Sequence, residues 1–212
     1  MRRAGLLAIV LAALAGAPAR AAEGTPRSTC TNSDLHGDAR LGPRLLPKAG
    51  PLAGVLKGYR RFAGMTSKRY LRTFWNAKAK SWRYPPQGGY QLTPEGRPVR
   101  MQLSLFAGQR VDRFGSDFGG YLSPEGTPYA ARAIPPQSLD NAERPSRCNY
   151  SRFRVLKDIA VYSGPIAAGL GQPGFGLQYV LDAAIFPGAP ANPRDFNVGY
   201  LLATGYLQRI SG

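Results

Sequence analysis

Residues 112–136 read DRFGSDFGGYLSPEGTPYAARAIPP, and residues 164–180 read GPIAAGLGQPGFGLQYV. Both stretches break short apolar runs with glycine and proline, which excludes long helices and leaves short strands between tight turns. At the end of the second stretch and just past it, Leu177, Tyr179 and Leu181 fall on one side of a strand, and Gln178 falls on the other. Working outward, Val99, Met101, Leu103 and Leu105 alternate with Arg100, Gln102, Ser104 and Phe106, the pattern of a half-buried strand. Val155, Ile159 and Val161 share one face of another. Residues 198–207 are apolar on both sides and fit either a buried strand or a short helix. The chain has 26 glycines and 19 prolines in 212 residues, enough for many turns, but lacks the Gly-X-Y period of collagen. A compact strand-rich domain is expected over residues 85–212.

The pattern before residue 85 differs. Residues 22–50 are polar and read as an extended arm. Residues 51–82 read as helical: Leu52, Val55, Leu56 and Tyr59 form one stripe, and Thr66 or Ser67 caps a second helix carrying Tyr70, Leu71, Phe74 and Trp75. Their other faces carry Lys57, Arg60, Arg61, Lys68, Arg69 and Arg72, and the expectation is packing against a sheet rather than insertion in a membrane. The fold class is thus α+β, with a small N-terminal helical extension over 22–84. Residues 1–21 have a basic start at Arg2 and Arg3, an apolar run from Leu6 to Leu14 and an Ala19-Arg20-Ala21 cleavage pattern. They read as a secretory signal peptide, too short in its apolar run to span a bilayer, so the protein is expected to be exported and soluble.

The formal net charge is +16. Such a surface attracts nucleic acid, acidic polymers, membranes or phosphorylated small molecules, or serves solubility. In an oxidising compartment Cys30 and Cys148, the sole cysteines, are expected to pair and tie the arm to the later half. Asn149-Tyr150-Ser151 fits the glycosylation pattern. The single histidine, His36, lies in the arm, which argues against a Ser-His-Asp triad and a catalytic cysteine. No phosphate-binding P-loop, C-x-x-C, H-E-x-x-H or G-x-S-x-G pattern is present, and no metal site is expected. Acids are scattered through the later half without the paired motif of a classical glycosidase. What remains is two arginines that could hold phosphates, aromatics on glycine-flanked turns that could stack a flat heterocycle, and a glutamine opposite an apolar strand face.

Taken in order, DRFG, GGYLSPEGTPYAARAIPP, GPIA and GQPGFGLQYV resemble the tuberculosis necrotizing toxin (TNT) family of NAD glycohydrolases, including its secreted fungal members. The resemblance runs from Trp82 to Leu207, and more loosely through Leu41-Gly42-Pro43, Gly58–Phe62 and Trp75. It implies a secreted enzyme that cleaves the nicotinamide–ribose bond of NAD or NADP, giving nicotinamide and ADP-ribose. It places the catalytic roles on Gln178, Arg113 and Phe114, and substrate binding on Tyr121, Arg132 and Phe175. The two arginines would hold the diphosphate, and Phe114 and Tyr121 would frame the nicotinamide. No cofactor is implied, because the dinucleotide is the substrate. A homodimer and a protein inhibitor in the producing cell are left open as partners; specific nucleic-acid binding and a membrane span are not expected. The sequence departs from toxin members that use a histidine, having none after His36, and Phe175 replaces a glycine common in relatives. The competing reading is a catalytically inactive cationic module that binds nucleotides or nucleic acid.

Overall fold

A computed structural model describes residues 28–140 and 148–210; the expected signal peptide lies outside them. Helix α1 (Gly50–Val55) starts with Pro51 in its first turn, where a missing N–H costs nothing. Helix α2 (Ser67–Phe74) is capped by Thr66, whose side chain accepts from the Arg69 N–H at 3.2 Å. The helical expectation holds only over these two pieces: Leu56 and Tyr59 of the first stripe lie past the end of α1, and the second helix stops at Phe74. Trp75–Asn76 (β1) and Ser81–Trp82 (β2) form a hairpin instead, in which Trp75 and Trp82 are cross-strand partners with ring centroids 5.2 Å apart. The Asn76 side chain accepts from the Ala79 N–H at 3.1 Å and turns the chain. A local cap and an aromatic pair thus override the helical stripe.

Seven strands make one antiparallel sheet: β3 (Met101–Leu105), β4 (Arg110–Phe114), β5 (Tyr121–Pro124), β6 (Tyr150–Val155), β7 (Ile159–Pro165), β8 (Leu177–Val180) and β9 (Leu207–Arg209). Their order across it is β3-β7-β8-β5-β4-β6-β9. The expected strand at 155–161 is two strands: β6 ends at Val155 and β7 begins at Ile159, after a turn in which Asp158 accepts from the Ala107 N–H. All three apolar residues are buried, so the shared face was real and the continuity was not. Strand β3 lies at the sheet edge, and Met101 is 66% exposed, so the expected half-burial holds only toward Leu105. Residues 198–207 resolve into helix α3 (Val198–Ala203), capped by Asn197, followed by β9.

One core cluster holds Val111, Leu122, Phe153 and Val161 of the sheet, with Leu181 just past β8, against Phe186, Phe196 and Leu201. A second holds Leu52, Val55 and Leu56 of the extension against Phe114, Tyr129, Leu139 and Tyr150. The Cys30–Cys148 disulfide sits within this second cluster, with Cα atoms 5.2 Å apart across 118 residues of chain. Helix α2 packs against its own hairpin and Leu170 rather than against the large sheet. The Tyr70 hydroxyl donates to the Leu170 carbonyl at 3.1 Å, and the Trp82 indole donates to Gln137 at 2.8 Å. The extension therefore braces two segments, 166–176 and 136–139, that border the cleft described next.

Candidate active site

A cleft of about 390 Å³ opens where β4, β5 and β8 meet the segments 84–89 and 132–138. Its volume is in the range of small-molecule sites. Arg113, Phe114, Tyr121, Arg132 and Gln178 all line it. Phe175 does not: it is 75% exposed on a turn of positive φ, outside the lining. His36 is exposed in the arm and also lies outside it.

Arg113 is buried at the end of β4. One Nη donates to the Tyr121 carbonyl at 3.0 Å, while Nε has no partner. No carboxylate lies within ion-pair distance of it among the described residues; the nearest charge influence, Asp117, is itself bonded to Arg209 at 2.6 Å. Burial lowers its pKa to about 10, partly opposed by Asp117, which still leaves it charged at neutral pH. Room for the guanidinium comes from two glycines. A Cβ on Gly115 would fall 2.7 Å from Nη2, and one on Gly119 would fall closer still. The family string DRFG…GG thus encodes a socket for an arginine.

Arg132 is differently placed. It closes a 3-10 turn (Tyr129–Arg132), and one Nη meets Asp112 at 2.5 Å while Nε and the same Nη donate to the Thr127 carbonyl at 3.0 and 2.8 Å. Asp112 is fully buried and also accepts from the Tyr150 hydroxyl at 2.6 Å and the Gly126 N–H at 2.8 Å. Burial pushes the Asp112 carboxyl up, against the lowering influence of Arg132, Tyr150 and the Gly126 N–H. The same burial, with Asp112 beside it, pushes the Tyr150 hydroxyl up, so tyrosine stays the donor. Phe114 lies under the Arg132 guanidinium at 5.1 Å and packs edge-on to Tyr129 at 4.8 Å. Arg132 therefore carries its own counter-charge, and Arg113 does not.

Gln178 is buried, although it lies on the side of β8 away from the apolar core. Its amide nitrogen donates to the Gly88 carbonyl at 3.1 Å. That bond orients the side chain and leaves Oε1 as an acceptor for a ligand. Tyr121 is half exposed at the rim. Sequence reasoning missed Tyr84, Ser123 and Ser138 as lining residues and Asp112 as the partner of Arg132. Gly88 and Gly89 also line the cleft, and the Gly88 carbonyl holds the Gln178 amide.

A sequence model of the family described as tuberculosis necrotizing toxin matches residues 104–210. The conidial surface nicotinamide adenine dinucleotide glycohydrolase of Aspergillus fumigatus is 35% identical over 176 residues, which is 82% of this chain and 70% of that protein. The chain belongs to the TNT family. The solved structure of tuberculosis necrotizing toxin in complex with its immunity factor shares the fold at a TM-score of 0.54 and 20% identity, covering 95% of this chain and all of that one. The α+β, strand-rich expectation is thus met by the TNT fold. No helix among the described residues is long and apolar enough to cross a membrane.

Proposed function

We propose that this TNT protein is an exported NAD glycohydrolase, as its fungal relative is named, and that it works through the Arg113–Gln178 cleft. The observation that carries the reading is the pairing, in the lining of one cleft, of a buried arginine lacking a counter-ion with a glutamine whose amide nitrogen is held by the Gly88 carbonyl, leaving Oε1 free of that bond. An anionic diphosphate would supply the charge and acceptors that Arg113 lacks. Arg132, already neutralised, offers its remaining donors and holds the Phe114 ring.

The chemistry requires no acid–base pair. The bond between the ribose C1′ and the nicotinamide nitrogen breaks with both electrons going to the nitrogen, which neutralises the pyridinium. The leaving group therefore needs no proton. Water adds to the oxocarbenium-like C1′ and releases one proton to solvent, giving ADP-ribose. A glutamine is not a base at neutral pH, but its Oε1 can hold the attacking water or a ribose hydroxyl in line. Asp112 is fully buried, engaged three times and outside the lining, so it is not available as a base. NADP differs at the adenosine 2′ position, away from the bond that breaks, and is accepted on this reading.

The test is to incubate protein starting at Ala22 with NAD and follow free nicotinamide. Catalytic release that disappears in Gln178→Ala is the expected result. Absence of release from a protein that melts cooperatively would overturn the proposal and favour the inactive nucleotide-binding reading.

A further inference from the structure

Positive charge on this chain is segregated. Residues 39–94 carry twelve lysines and arginines and no aspartate or glutamate, whereas residues 95–212 carry twelve against nine acids. Beyond residue 94 much of the charge is internally answered: Arg110 and Arg152 share Glu125, Arg132 has Asp112, and Arg209 has Asp117. Within 39–94 the described ion pair is Arg40 with Asp38, and Arg61 is spent on the Leu41 carbonyl. Lys57, Lys68, Arg69, Arg72, Lys78 and Lys80 are all exposed, on the end of α1, on α2 and on the β1–β2 turn. Solubility alone is served by charges of both signs spread over the surface, not by one sign gathered in one segment.

The rest of this face narrows its partner. The apolar side of α2 is consumed by packing: Tyr70 is fully buried among Phe62, Phe74 and Trp82. No large apolar side chain between residues 46 and 83 is exposed; Leu45 and Tyr84 at the two ends of that span are, and Tyr84 belongs to the wall of the cleft. The face thus lacks the wedge needed for insertion and the aromatic platforms on which single-stranded bases stack. Helix α2 has eight residues, and no element of a duplex-reading module occurs among the described residues.

We propose that the 57–83 face docks the protein on an anionic phospholipid bilayer, held by Coulombic attraction without insertion. Clusters of four to eight lysines and arginines are recognised in this way by anionic leaflets. Arg83 directly precedes Tyr84, a wall of the cleft, so the docking face reaches the site. The proposal does not rest on the enzymatic reading.

The experiment is co-sedimentation of the full exported chain with vesicles of phosphatidylcholine containing about 30 mol % phosphatidylserine, and with phosphatidylcholine alone. Binding to the anionic vesicles, reversed by salt as screening sets in, is expected. Lys68→Glu with Arg72→Glu and Lys80→Glu should weaken it by about a hundredfold or more. Arg97→Glu with Arg154→Glu and Arg194→Glu makes the same change in net charge on exposed sites elsewhere and should weaken it much less. Equal loss in the two triple variants would overturn the docking face in favour of net charge. Absence of anionic-vesicle binding, or tighter binding to duplex DNA than to the vesicles at matched salt, would overturn it in favour of a free or nucleic-acid-bound protein. Melting temperature is followed in both triples, so that unfolding is distinguished from lost docking.

Discussion

Substituting Asp112→Asn tests the claim that Arg132 is primarily a framework residue. The wild-type carboxylate is fully buried and accepts from Arg132, Tyr150 and the Gly126 N–H at 2.5–2.8 Å. An amide of the same shape keeps one acceptor oxygen and turns an NH2 group toward the Arg132 guanidinium or the Gly126 N–H, which can only donate. It also leaves the buried Arg132 guanidinium without a counter-charge. Breaking one side of a buried pair costs about 3–5 kcal/mol, even where the intact pair contributes little net stability. At about 2–4 °C per kcal/mol for a protein of this size, the melting temperature should fall by roughly 6–20 °C. Differential scanning calorimetry at neutral pH measures this directly. The paired change Asp112→Leu with Arg132→Met should be less damaging than Asp112→Asn alone, because no buried charge remains. A loss under about 2 °C for Asp112→Asn, or a double variant that is the worse of the two, would refute the reasoning.

Other outcomes follow from the same geometry. Gln178→Ala should lower kcat about a hundredfold while leaving KM within a few-fold, since positioning rather than charge is removed; steady-state kinetics with NAD separates the two. Arg113→Met should raise KM at least about tenfold yet melt no lower than wild type, because an unpaired buried cation is deleted along with the phosphate contact. The paired change Cys30→Ala with Cys148→Ala should cost about 2–4 kcal/mol by releasing a long loop in the unfolded chain, read by denaturant unfolding; an unchanged midpoint would count against the bridge. Between about pH 5 and pH 9 kcat/KM should be flat, because the lining includes neither carboxylate nor imidazole and Arg113 loses its proton only toward about 10; a titration near pH 6–7 would require a base from outside the cleft.

What could be read in the sequence was local chemistry; what could not was contact between distant segments. Thr66 announced a cap, and alternation placed Gln178 opposite Tyr179 and Leu181, because caps and strand faces are written within a few residues. The ordered family string assembled Arg113, Phe114, Tyr121, Arg132 and Gln178, which come together in one cleft. Asp112 was visible as an acid but not as the partner of Arg132 twenty residues later, since that pairing depends on how the 3-10 turn folds back on β4. Trp75 fitted a helical stripe, and its pairing with Trp82 across the Asn76 turn is a contact that stripe does not reveal. Phe175 looked like a pocket aromatic by its place between glycines, yet those glycines turn it out to solvent.

If the proposed reading holds, the sheet order accounts for how one glutamine and one arginine without a counter-ion divide the work. Arg113 is on β4 and Gln178 is on β8, with β5 between them. At the usual strand spacing their backbones stand about 10 Å apart. A cation beside the ribosyl C1′ would oppose the positive charge that develops there, so catalysis needs the arginine near enough to hold the diphosphate and far enough to spare the sugar. By strand alternation Gln178 shares a face with Ser123 and Asp112, whereas Arg113 starts from the other face and meets the cleft at the end of β4. The glutamine, neutral at every physiological pH, can then stand at the reacting carbon without adding charge of either sign. Its orientation comes from the Gly88 carbonyl, on a segment that runs directly from the Trp82 hairpin. On the proposed reading, the segment that follows the extension's hairpin supplies the carbonyl that aims Gln178, and the sheet order separates that glutamine from the charge of Arg113.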